Sequence, residues 1–132
     1  MALGLRKNLP EIAACTSLIP LMMGIYGAVD PGSAMQTALQ WKVHNPEDRQ
    51  VAYSLMKLYS YRSIGIGLGG IAVWYSGDRR AQGLVSLTGV VIALGDGLTA
   101  YQHSGGDFAE GMKHWFAVPL SIGFGAGLLG WI

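Results

Sequence analysis

The sequence predicts an all-α integral membrane protein, a bundle of four spanning helices in up-down-up-down order with a long connector between helices 1 and 2. Three observations predict this fold class. Of the 132 residues, 51% are hydrophobic and only 13% are charged, whereas soluble domains carry about a quarter charged residues. Glycine occurs 20 times and is commoner in transmembrane helices than in soluble ones. Four apolar segments have the length of about 20 residues that a bilayer core requires.

The predicted spans follow one another within a single transmembrane domain, residues 1–132. They cover residues about 11–29, 51–76, 81–101 and 108–132. Pro20 and Pro119 lie inside the first and fourth spans, where neighbouring helices re-satisfy the freed carbonyls. A signal peptide is the alternative for the first span, and its length and the lack of a small-residue cleavage site disfavour it. A water-soluble bundle is disfavoured because residues 84–94 offer no polar face.

The connections between the spans predict their arrangement. Short polar turns at 76–80 and 103–111 join antiparallel neighbours. The long connector, 30–50, is predicted to carry a short interfacial helix capped by Ser33; the alternative is an ordinary loop. The side that holds the termini carries four basic residues, Arg6, Lys7, Arg79 and Arg80. The other side carries three, so the positive-inside rule predicts cytoplasmic termini.

Two ionisable residues lie within predicted spans. Arg62 lies about 17 residues before the centre of the turn at 76–80, and Asp96 lies about 17 residues after it, which puts the two at one depth on neighbouring antiparallel helices. Charged groups inside a membrane are costly, face the bundle interior and usually pair. A carboxylate also matches the two-pronged geometry of a guanidinium. We therefore predict an Arg62–Asp96 ion pair beside a cavity; the alternative is a pair that only joins the two helices.

Other polar and aromatic side chains are expected to converge on this pair. Gly65 and Gly69 share the helical face of Arg62 and are expected to let another helix approach. His114, near the start of the fourth span, is expected to reach the depth of Asp96. The predicted catalytic residues are Asp96, Arg62, His114 and Tyr59. The predicted substrate-binding residues are Tyr26, Tyr61, Thr99, Tyr101 and Trp115.

The composition also limits which binding partners and cofactors are expected. A net charge of +1 argues against nucleic acid, and the single Cys15 excludes an internal disulfide. The residues His103, Asp107, Glu110 and His114 match no specific metal motif. We therefore expect no cofactor and no metal. The expected partners are a lipophilic small molecule and membrane lipid, with a homo-oligomer left open.

The layout resembles a fungal family of small four-span membrane proteins that is described only as a domain of unknown function. The resemblance is carried by the Asp30-Pro31 exit from the first span, Arg62 in a glycine-rich span, "GDRRAQG" at 77–83, Asp96 and His114. The family implies no activity. More loosely, the layout is similar to membrane enzymes of fungal polyketide and terpenoid pathways that open epoxides or isomerise lipophilic intermediates. This similarity implies secondary-metabolite biosynthesis and a multi-pass protein of the endoplasmic reticulum.

Residues and resemblance together favour a membrane-embedded, cofactor-independent hydrolase or isomerase. Asp96 would act as general base or nucleophile. Arg62 would orient it or stabilise a developing oxyanion, and Tyr59 or His114 would donate a proton. The alternatives are a small transporter or proton-coupled carrier and a structural or accessory membrane subunit.

Overall fold

A computed structural model describes residues 7–39 and 41–132, and all regular secondary structure in these ranges is helical. The helices are α1 (Leu9–Val29), α2 (Pro31–Ala38), α3 (Pro46–Tyr75), α4 (Arg79–His103), α5 (Phe108–Trp115) and α6 (Ala117–Leu129). The all-α prediction is confirmed. Two helices, α1 and α4, are long and apolar enough to cross a membrane. The four-span bundle and the single domain stay predictions.

The fourth apolar segment forms two helices, where the sequence predicts one. Pro119 has no N–H to donate to the carbonyl of Trp115, and its ring crowds that carbonyl. Helix α5 therefore ends at Trp115, and α6 begins so that Pro119 falls in its first turn, where a missing N–H costs little. Phe116 between them keeps helical angles, φ −61° and ψ −22°. The interruption is thus a kink of one residue.

The described residues cluster into two compact units. Unit 1 comprises residues up to Ala14 together with 72–132, and unit 2 comprises residues 15–71. Unit 2 therefore holds most of α1, all of α2 and most of α3. Unit 1 holds the start of α1, the end of α3, and α4 to α6.

In unit 2, α1 and α3 pack through small side chains. The buried residues of α3 recur every three or four positions, as Met56, Ser60, Ser63, Gly67 and Gly70; this is the 3.5-residue period of closely packed helix pairs. A Cβ added to Gly24 of α1 would lie 2.6 Å from the carbonyl oxygen of Ser60. One added to Gly67 would lie 2.8 Å from the carbonyl oxygen of Ser17. The two backbones therefore touch at glycine.

The prediction that Gly65 and Gly69 let another helix approach is wrong. A Cβ added at either position would meet no atom of the described residues within 4 Å. The buried stripe runs through Ser60, Gly67 and Gly70, and the 3.5-residue period places Gly65 on the opposite side of α3. The glycine content of α3 is thus split between a packed face and an open one.

The connector contains the predicted short helix, α2, but its cap differs from the prediction. The backbone N–H of Ser33 donates to Asp30 Oδ1 at 3.0 Å, so Asp30 is the N-cap and Pro31 takes the first helical position, which suits its fixed φ. Ala34 and Met35 of α2 pack on Met56 of α3. Helix α3 begins at Pro46 and carries the acidic residues Glu47 and Asp48 in its first turn, where they interact favourably with the partial positive charge of a helix start.

The Asp30 cap predicts a pH dependence. The backbone N–H of Ser33, and then its hydroxyl, hold the pKa of Asp30 below the usual 3.8, because both bonds favour the charged carboxylate. The cap's stabilisation is therefore present above the unfolded-state pKa and is lost as pH falls through the lowered folded-state pKa. Wild-type protein should unfold at a higher temperature than Asp30→Ala at about pH 6, and the gap should narrow below about pH 3. Asp48→Ala is the control; a gap that is constant with pH would contradict the assignment.

Candidate functional site

In unit 1, helix α4 packs antiparallel against α5 and α6. Added Cβ atoms locate the contacts: from Gly83 the nearest side chain is Leu129, at 2.9 Å, and from Gly89 it is Ser121, at 2.6 Å. Further along α4, Gly97 lies against Trp115. Because the partner numbers fall as the α4 numbers rise, the helices run in opposite directions. The contacts fix which residues of α4 and α5 share a level.

Trp115 is the centre of an aromatic cluster that also contains Tyr101 and Phe108. Its indole ring occupies the space that a side chain at Gly97 would need, and a Cβ on Gly111 would lie 2.8 Å from the same ring. Its ring centroid lies 6.0 Å from that of Tyr101 and 5.5 Å from that of Phe108. Its Nε1–H donates to a backbone carbonyl of α4, that of Leu94, at 3.4 Å. The ring is therefore held by packing on several sides.

This contact sets the level of two predicted catalytic residues. Asp96 precedes Gly97, and His114 precedes Trp115, so the two residues each lie one position from the contact and at nearly the same level along their helices. Both side chains are half-buried. Asp96 is spaced three and four residues from Ala93 and Ala100, which are buried; it shares their side of α4.

The predicted residues of unit 2 form a second group. The Cζ atom of Arg62 lies 4.7 Å from the centroid of the Tyr59 ring, within the range of a cation–π contact. Arg62 and Tyr61 are exposed, and so is Tyr26 of α1. Arg62 also lies outside the buried stripe of α3. The structure thus brings Arg62 and Tyr59 together, while the Arg62–Asp96 ion pair, whose members belong to different units, stays a prediction.

Other polar side chains near the site form hydrogen bonds within their own helix. The hydroxyl of Thr99, an exposed side chain, donates to the carbonyl of Gly95 at 2.9 Å. Lys113 Nζ bonds both carboxylate oxygens of Glu110 at 2.6 Å. Within the described ranges, no group of three or more His, Cys, Asp or Glu side chains is placed to hold a metal ion.

The sequence predictions do not include three residues that contact Trp115 in this site, namely Gly97, Phe108 and Gly111. The sequence signal for Gly111 was its spacing of four from Trp115, which puts both on one face of α5. Gly95 and Gly97 flank Asp96, and glycine leaves space where a side chain would be. At Gly97 the indole ring of Trp115 fills that space, whereas a Cβ on Gly95 would meet no described atom within 4 Å.

Comparison with known proteins gives one match. Residues 17–128 match the model of a protein family described as Domain of unknown function (DUF4267). No curated protein matches the chain, and no solved structure does.

Proposed function

The chain belongs to this family, whose description assigns no activity, and we propose that it is a membrane-embedded enzyme that acts on a lipophilic small molecule by acid–base chemistry without a cofactor. The observation that carries the proposal is the Gly97–Trp115 contact. It puts the half-buried Asp96 and His114 at one level on α4 and α5. In this proposal the two groups exchange protons with one substrate from neighbouring helices.

Membrane residence is supported by the exposed surface of α1. Gly24 and Gly27 pack this helix on α3, yet Ile19 and Met22 are 65% and 64% exposed. A helix that is apolar all round is buried in a large core or lies in lipid. The packing of α1 on α3 also favours a retained helix over a cleaved signal peptide. We propose that α3 and the kinked α5–α6 segment complete a four-span bundle.

The proposed reaction is the opening of an epoxide by water. Asp96 takes a proton from water as the water oxygen bonds to one epoxide carbon and the carbon–oxygen bond of the ring breaks. The His114 imidazolium gives a proton to the ring oxygen, so the product is a vicinal diol. Solvent then returns the proton from Asp96 to His114. The same pair supports double-bond isomerisation, in which the carboxylate removes a proton beside a carbonyl and the imidazolium supplies one further along.

The test is turnover by the purified protein in detergent. Styrene oxide and a long-chain terminal epoxide, in isotopically labelled water, report hydrolysis by mass spectrometry. A β,γ-unsaturated cyclic ketone in deuterated water reports isomerisation. We expect Asp96→Asn to lower the rate by about 10²- to 10⁴-fold with little change in unfolding temperature. The control is Asp48→Asn, which neutralises an exposed carboxylate in the first turn of α3.

The outcomes distinguish the alternatives. Movement of a probe across sealed vesicles without chemical change would contradict the enzyme and favour a transporter. Unfolding of Asp96→Asn, with no turnover by the wild type, would favour a structural role. The predicted partnership of Arg62 with Asp96 is tested in the same assay: if the two act as a unit, Arg62→Met combined with Asp96→Asn should cost no more activity than Asp96→Asn alone.

A further inference from the structure

Three helix ends of unit 1 come together: the starts of α1 and α4 and the end of α6. Gln82 Nε2–H donates to the carbonyl of Pro10 at 2.7 Å, and this glutamine is only 4% exposed. A Cβ on Gly127 of α6 would lie 2.6 Å from Leu9 Cδ2. One hydrogen bond and one close contact therefore join the three ends.

The same contacts place the basic residues near these helix ends at one end of unit 1. Lys7 lies two residues before α1, and Arg79 and Arg80 open α4; all three are exposed. Arginines in a first helical turn add to the partial positive charge of the helix start and do not offset it. The acidic side chains described near them are Glu11 and Asp78, and Asp78 accepts a capping bond from the backbone N–H of Ala81 at 2.9 Å. The described ionisable side chains at this end are thus three basic and two acidic.

Exposed aromatic residues lie at the same end of unit 1. Trp74 and Tyr75 end α3, four residues before α4 begins, and Tyr75 is 86% exposed. Trp131 follows α6 and is 68% exposed. Its position is fixed, because Gly130 adopts φ 76° and the Trp131 N–H donates to the carbonyl of Ala126 at 2.9 Å, a Schellman motif. Tryptophan and tyrosine at this kind of site lie at the headgroup level of a bilayer.

The opposite end of unit 1 has no excess of basic side chains among the described residues. Asp107 caps α5, and the carboxylate of Glu110 binds Lys113. The excess of positive charge is therefore confined to the basic end, which we define as Lys7, Arg79 and Arg80 with Trp74, Tyr75 and Trp131.

We propose that the basic end binds the headgroups of anionic glycerophospholipids. The phosphate and the second negative group of such a lipid match the clustered cations and the α4 helix start, and the acyl chains continue along the apolar helices. Anionic lipids concentrate in the cytoplasmic leaflet, which agrees with the cytoplasmic termini predicted from the sequence. The inference rests on the membrane residence in the proposed function and is independent of catalysis.

The experiment is native mass spectrometry of the full chain in a neutral detergent. Phosphatidylserine and phosphatidylcholine with the same acyl chains are added, and lipid adducts are counted. We expect preferential retention of phosphatidylserine that weakens with salt. Arg79→Gln combined with Arg80→Gln should weaken it by about 5- to 30-fold, because each basic residue contributes about 5-fold. Lys42→Gln combined with Arg49→Gln removes the same charge elsewhere in the chain and should leave the preference unchanged.

Several results would overturn the proposal. Equal retention of both lipids, or an equal loss in the two double variants, would show that no specific basic end exists. Stabilisation by inorganic phosphate alone, lost in the arginine variant, would assign the site to a soluble anion. A chain that retains neither lipid and stays folded without detergent would overturn membrane residence as well.

Discussion

Gly67→Ala should destabilise the protein by about 3 kcal/mol, and Gly65→Ala should leave it unchanged or more stable by up to about 1 kcal/mol. The two glycines are two residues apart on α3. The new Cβ at Gly67 would lie 2.6 Å from Leu21 Cβ and 2.8 Å from the Leu21 nitrogen and the Ser17 carbonyl oxygen. Backbone atoms cannot move aside alone, so α1 and α3 must separate. At Gly65 there is space, and alanine has the higher helix propensity.

The measurement is the free energy of unfolding of both variants in one detergent, followed by helical circular dichroism. Gly24→Ala provides a second test from the α1 side, because its Cβ would lie 2.6 Å from the Ser60 carbonyl oxygen. Similar stabilities for Gly67→Ala and Gly65→Ala would show that the α1–α3 packing is looser than described.

Trp115→Ala should destabilise unit 1 by about 3 kcal/mol, the lower end of the range for a buried tryptophan because the ring is half-buried. The change removes the ring from Gly97 and Gly111, the contacts with its two aromatic neighbours and the hydrogen bond to the Leu94 carbonyl. A cavity would then open between α4 and α5. For a chain of this size we expect an unfolding temperature lower by about 10 °C.

Trp131→Ala is the matched control, since it removes the same side chain from an exposed position. Its unfolding temperature should stay within about 2 °C of wild type. Equal effects of the two substitutions would contradict the described role of Trp115. If the proposed function is correct, Trp115→Ala should also lose turnover well below its unfolding temperature, because the level of Asp96 and His114 is no longer fixed.

The helical class and the long first and third apolar segments could be predicted from the sequence because apolar length and polar turns are local signals. The face of α3 that packs was not predictable from one residue pair. Gly65 and Gly69 have the four-residue spacing of a packing motif, but Ser63 and Gly67 on the buried face have it too. Both stripes have small residues at repeating positions, and only the partner on α1 selects between them.

The details of the candidate site depended on contacts that no local pattern contains. The level of His114 followed from counting residues across a turn, which is reliable for straight antiparallel helices. The contact of Trp115 with Gly97 joins residues on two different helices. It forms because the indole ring fits the space that the glycine leaves, which no local sequence pattern predicts. The one-residue kink at Phe116 was not predicted because the apolar run from 108 to 132 favours one continuous helix. Only the effect of Pro119 on the preceding turn opposes that pattern.

The interruption at Phe116 makes α5 a separate short rod, which would pivot at Phe116 if the two helices moved against each other. A rod of eight residues is about 12 Å long, so a swing of about 10° displaces its far tip by about 2 Å and its pivot end by almost nothing. Phe108 is at the tip and Trp115 is next to the pivot. If the proposed function is correct, a lipophilic substrate would enter at the Phe108 end of α5, where such a swing is largest, while the spacing of Asp96 and His114 is conserved.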